Sequence, residues 1–223
     1  MRKQQHSLRL AICLLAAFML WTVAVRLVDV QKLGPQESAV GFAAMNRFVH
    51  NLTGVHLSLY VITDYLGLVP IAFAMGFAVL GLCQWIKRKR LLNVDYSILV
   101  LGGFYLVVMA VFFFFEIVVV NYRPVLINGQ LEASYPSSTT MLVLCVIPTA
   151  IMQLHSRIKN STFKRCITAV LTVFIGFMVI GRLISGVHWV TDIIGGMLLS
   201  AGLVMLYRFF VGLEFRSLKK SGL

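Results

Sequence analysis

Six long apolar runs dominate the chain, at about 8–28, 60–84, 96–120, 138–155, 166–184 and 189–211. Each is close to the length a helix needs to cross the hydrocarbon core of a bilayer, roughly 20 residues. The runs predict an all-α, polytopic membrane protein: a bundle of six transmembrane helices forming one membrane-embedded domain over 1–223. Two longer polar connections interrupt the pattern. In the first, "ESAVGFAAMNRFVHNL" spaces its apolar residues as on one helix face, predicting an amphipathic helix on the membrane surface. The second, "NYRPVLINGQLEASYPSSTT" (121–140), carries the turn signals Pro124, Asn128-Gly129 and Pro136.

Composition sharpens this picture. Hydrophobic residues make up 59% of the chain and charged residues 13%, against about half and a quarter in soluble domains. The N-terminal apolar run follows a basic start, but its near-span length and the lack of a small-x-small site favour a retained span over a cleaved leader. The net charge of +12 is not a nucleic-acid signal, because the basic stretches "KRKR" (87–90), "RIKNSTFKR" (157–165) and "RSLKK" (216–220) flank apolar runs. Such flanks follow the positive-inside rule and suit anionic membrane lipids. With both termini in the cytoplasm, fifteen of the twenty Lys and Arg residues fall inside, leaving Arg26, Lys32, Arg47, Arg123 and Arg182 outside. The four cysteines, Cys13, Cys83, Cys145 and Cys166, form no C-x-x-C pair and read as small buried hydrophobes.

This orientation brings three polar stretches, "NYRP", "YPSSTT" and "GRLISGVHWVTD" (181–192), to one extracytoplasmic face. His188 and Asp192 stand four residues apart, a spacing that places both on one helix face. An aspartate there would hold one imidazole nitrogen and leave the other free as nucleophile or base. Arg123 and Arg182 offer planar forks of donors suited to phosphate. "PSST" (136–139) opens the fourth span, where a hydroxyl and free backbone N–H groups favour an anion. A nucleophilic imidazole beside bound phosphate implies phosphoryl transfer, with arginines and N–H dipoles carrying the charge and no metal or cofactor required. Taken singly, an H-x-x-x-D pair is more often structural, arginines near span ends snorkel, and P-S-S is an ordinary helix start. His50, His56 and His155 read as surface or interfacial residues.

These motifs resemble those of the type 2 phosphatidic acid phosphatase superfamily of integral-membrane lipid phosphatases, whose pattern is K-x6-R-P, P-S-G-H and S-R-x5-H-x3-D. "EIVVVNYRP" (116–124), "PSST" and "GRLISGVHWVTD" follow it in order and spacing. The resemblance implies His188 as nucleophile, Asp192 as its orienting partner, and Arg123, Arg182, Ser137 and Ser138 as phosphate-binding residues. It implies a lipid phosphate or diphosphate substrate in the phosphatidate, phosphatidylglycerophosphate or polyprenyl diphosphate class, and a site in a bacterial plasma membrane. Four positions depart from the pattern. Glu116 stands for the lysine, Ser138 for the glycine, Gly181 for the serine, and Thr139 for the histidine that protonates the leaving group. An alkoxide leaving group needs such an acid, whereas a phosphate monoester leaving from a diphosphate does not. The departures therefore tilt the expectation toward diphosphates. A catalytically degenerate binder of lipid phosphates and a phosphotransferase using the same site stay open as alternatives.

Overall fold

In a computed structural model, the backbone is described for residues 2–220 and side chains for residues 4–213. The basic side chains of 216–220 lie outside the described residues. Among the described residues eight α-helices follow in order: α1 (Arg2–Leu27), α2 (Ala43–Thr53), α3 (Leu57–Leu66), α4 (Leu68–Arg88), α5 (Tyr96–Ile117), α6 (Ser138–Arg157), α7 (Ser161–Ile184) and α8 (Val190–Lys220). The six apolar runs become six candidate spans, because α3 and α4 join into one hydrophobic stretch, Leu57–Arg88. Their junction at Gly67 has its cause at Pro70, which has no N–H to bond the carbonyl of Leu66 and crowds that carbonyl.

The polar segment after α1 departs from an all-helical reading. It forms a two-residue antiparallel ribbon, β1 (Gln31–Lys32) with β2 (Ala39–Val40). The predicted amphipathic helix is α2. Its Ala43 and Asn46 are buried while Phe48 and Leu52 are exposed. Asn46 reaches Thr191 at the start of α8, its Oδ1 accepting from the Thr191 amide at 3.3 Å.

Helices α6 and α8 form the centre. Half of each of their spans is buried, against 17–22% for the other four. Helix α8 packs along α1 and against α6, and the shared core gathers Phe18, Leu101, Phe104, Tyr135, Met141 and Leu203. The outward faces remain apolar, as hydrocarbon surroundings require. This corrects the reading of the cysteines: Cys145 is buried, but Cys13, Cys83 and Cys166 are exposed on the bundle's outer face. In a bilayer, outward positions are apolar positions too.

Candidate active site

The site is assembled where α6 and α8 begin and α5 and α7 end. The turn between α7 and α8 aims its central residue, His188. Gly186 in this turn has φ +69°, and a Cβ there would fall 2.1 Å from the Gly54 carbonyl oxygen, so the close approach excludes any side chain. The same turn is pinned by the His56 amide, which donates to the Ser185 carbonyl at 3.0 Å. Gly181, where the motif has serine, sits against α3: a Cβ would meet the Thr63 methyl at 2.8 Å.

His188 is almost fully buried and its two nitrogens face different partners. Nε2 lies 3.3 Å from Arg123 Nη1 and 3.4 Å from Arg182 Nη2. Burial, and then the two guanidinium charges, hold the imidazole well below its ordinary range, so it is neutral. Nδ1 lies 2.9 Å from the Ser134 hydroxyl. Asp192 Oδ2 is 3.9 Å from Nδ1, beyond a hydrogen bond, so the direct contact expected from the spacing is not made. The reason is local: α8 begins at Val190, which leaves His188 ahead of the helix rather than on its face. Asp192 instead sits in the first turn and accepts from the Trp189 amide at 3.0 Å, in the manner of a capping box. It also accepts from Asn121 Nδ2 at 3.2 Å and from Ser134 Oγ at 2.5 Å.

Both arginines are buried, and each has a carboxylate on one flank. Glu132 lies 3.0 Å from Arg123 Nε as an ion pair, and Asp64 lies 3.8 Å from Arg182 Nη1. The Tyr60 ring spans the two cations, 4.9 Å from the Arg182 guanidinium carbon and 6.0 Å from that of Arg123. Arg182 Nε and the hydroxyls of Ser137 and Thr140 are buried without a hydrogen-bond partner. Ser137 stands at the N-terminus of α6 and is tied to α8 by its amide, which donates to the Asp192 carbonyl at 3.1 Å. The first-turn N–H groups of α6 have no intrahelical acceptor.

The structure thus brings Arg123, Arg182 and His188 into contact, and Ser137 to the same end through Asp192. Ser138 and Thr139 follow Ser137 in the first turn of α6. They line an apolar groove of about 570 Å³ between α4, α5 and α6, with Asp64 at its rim and Met75, Val108 and Phe112 in its walls. Glu116 is separate again, facing Phe112, Tyr135, Pro136 and Ser138 across a narrow crevice. The carboxylate that accompanies Arg123 is therefore Glu132. Among the described residues, no three His, Cys, Asp or Glu side chains gather as a metal site. His50 packs its ring on Trp189 at 5.4 Å, while His56 and His155 bond Thr53 and Thr168.

Sequence reasoning missed Ser134, Asn121, Tyr60 and Asp64. One signal was available for Asp64, the single charge in the run 60–84, because an ionisable residue within a span marks function by default. Ser134 carried none.

Comparison with known proteins bears on the family and the fold. Residues 118–215 match the family model of the PAP2 superfamily. The fold is similar to that of a transmembrane PAP2 type phosphatidylglycerolphosphate phosphatase from Bacillus subtilis. The TM-score is 0.55 at 19% identity, covering 91% of this chain and 96% of that one. No curated protein matches the chain.

Proposed function

We propose that this chain, whose residues 118–215 match the PAP2 superfamily model, is an integral-membrane lipid phosphatase acting through a phosphohistidine at His188. The observation that carries the reading is the meeting of a buried, neutral imidazole nitrogen with two buried guanidinium groups at 3.3 and 3.4 Å. Two adjacent cations are costly to bury, and a phosphate bridging them offsets that cost. The unpartnered Arg182 Nε and Ser137 hydroxyl supply further donors, and the α6 N-terminus adds its N–H groups.

In the reaction, the Nε2 lone pair attacks phosphorus and the bond to the leaving oxygen breaks, its electron pair departing with the leaving group. Arg123 and Arg182 stabilise the charge that spreads over the equatorial oxygens. Water then adds to the phosphoryl group, the N–P bond breaks with its electrons returning to Nε2, and phosphate and a proton are released. The apolar groove beside Ser138 and Thr139 suits a hydrocarbon chain running from the polar rim into the membrane interior. Thr139 is too weak an acid to serve an alkoxide, so lipid diphosphates are the favoured substrates over phosphatidate- or phosphatidylglycerophosphate-type monoesters. The asymmetry of basic residues supports cytoplasmic termini and a site on the extracytoplasmic side of the membrane.

The test is phosphate release by purified protein from matched lipid mono- and diphosphates, in the presence and absence of chelator. Faster turnover of the diphosphate, unaffected by chelator, is the expected result. Equal turnover would overturn the leaving-group argument, and binding without turnover of either would assign the chain to non-catalytic lipid-phosphate binding.

A further inference from the structure

We infer that the Ser134 hydroxyl is the positioning residue through which Asp192 fixes the tautomer and orientation of His188. The inference rests on the reading of His188 as nucleophile, and it follows from counting protons. Asp192 receives four donors: the Trp189 amide and the Ser134 hydroxyl on Oδ2, and the Asn121 amide and, at 3.5 Å, the Thr191 hydroxyl on Oδ1. That set belongs to an ionised carboxylate, which only accepts. The single proton of Ser134 is therefore directed at Asp192, 2.5 Å away. Toward His188 Nδ1, 2.9 Å away, Ser134 Oγ has only lone pairs left. Nδ1 must then carry the proton, and Nε2 presents its lone pair where Arg123 and Arg182 meet.

Without the hydroxyl, nothing would join the ring to Asp192, whose Oδ2 is 3.9 Å from Nδ1 and too far for a hydrogen bond; the ring would keep only the Ser134 backbone as a partner there. Ser134 is itself held rigidly. It is buried, its amide donates to the Asn121 carbonyl at 2.9 Å, and the next residue, Tyr135, is clamped between Phe18 and Phe115. Asn121 thus supports both members of the link, with its side chain on Asp192 and its carbonyl on Ser134. When Nε2 becomes phosphorylated, the positive charge gained by the ring is answered by Asp192 through the same hydroxyl.

The experiment combines ¹⁵N NMR of histidine-labelled protein in nanodiscs with steady-state hydrolysis of a lipid diphosphate. The wild type is expected to show His188 protonated at Nδ1 and bare at Nε2. Ser134→Ala should shift the ring toward the Nε2–H tautomer and lower kcat about 10- to 100-fold, the cost of leaving one buried donor unmatched. Ser134→Thr, which keeps the hydroxyl, should restore both. Ser134→Cys keeps the side-chain volume with a weak acceptor and should behave like alanine, which covers the case where alanine disturbs the turn. An Nε2–H tautomer in the wild type, or an unchanged tautomer and rate in the alanine and cysteine variants, would overturn the link. The tautomer is read without turnover, so an inactive protein with the Nδ1–H ring and its serine dependence would sink the phosphatase reading alone.

Discussion

The two ends of the bundle each hold a cluster of arginines and an aspartate, and they are built on opposite principles. At the end where α4 and α6 finish, Asp95 is ringed by partners. Arg88 lies at 2.9 Å, Arg157 at 3.7 Å, and Gln84 donates at 2.8 Å. Gln84 also caps the Asp95 amide, so charges and donors are matched and the group is partly exposed. Those donors hold the Asp95 carboxyl below its ordinary range against the opposing effect of burial. At the other end, Arg182 is almost wholly buried, its closest carboxylate is 3.8 Å away, and its Nε has no partner. A closed network of this kind holds helices together. An open one, with buried donors left over beside a neutral imidazole, suits the phosphate-binding role proposed for it.

The sharpest way to break this contrast is to remove the proposed nucleophile. His188→Ala should abolish phosphate release, a loss on the order of 10⁵–10⁶-fold, while thermal unfolding of the purified protein stays close to wild type. Arg182→Ala should cost about 10²–10³-fold in kcat, as loss of a transition-state donor does. Arg182→Lys should fail to restore it, because a point charge cannot reproduce the planar fork. At the matched end, Asp95→Asn should leave kcat unchanged and lower stability by no more than about 1 kcal/mol, as for exposed ion pairs. A large activity loss there would erase the distinction.

Proton titration offers a further probe. In the proposed reaction His188 acts in its neutral form, and its folded-state pKa lies below the ordinary value of 6.5. The kcat/KM profile should therefore be flat through pH 6.5 and fall only at lower pH, where the ring takes up a proton. Arg123→Ala removes one of the charges that lower this pKa, so it should move the acid limb upward. A limb already at 6.5 in the wild type would show that burial and the two cations do not act on the reacting nitrogen.

How much of this was legible beforehand depended on how rare each signal is in a greasy chain. The spans stood out because long apolar runs have few other meanings, and Arg123, Arg182 and His188 stood out because charge is scarce near them. Their meeting at one end followed from span count and orientation. The relation of His188 to Asp192 was misjudged because a spacing of four assumes a continuous helix, and α8 begins two residues too late for that. Ser134 was invisible as one more small polar residue among turn formers. Tyr60 approaches both arginines only through the packing of α3 on α7, which no local pattern encodes.

Two smaller effects refine the divergent positions. Thr139→His should raise monophosphate turnover more than diphosphate turnover, since only the alkoxide needs the proton. Glu116→Lys should change KM little, because Glu116 faces the crevice beside Tyr135 and Pro136 rather than the arginine pair.

The most direct test of the central claim is chemical trapping. Protein mixed with a lipid diphosphate labelled in its terminal phosphate, then quenched in alkali, should retain acid-labile, alkali-stable label at His188. The label should vanish in His188→Ala. Turnover of the same substrate with no trapped label at any time, or with label that persists in His188→Ala, would contradict the account.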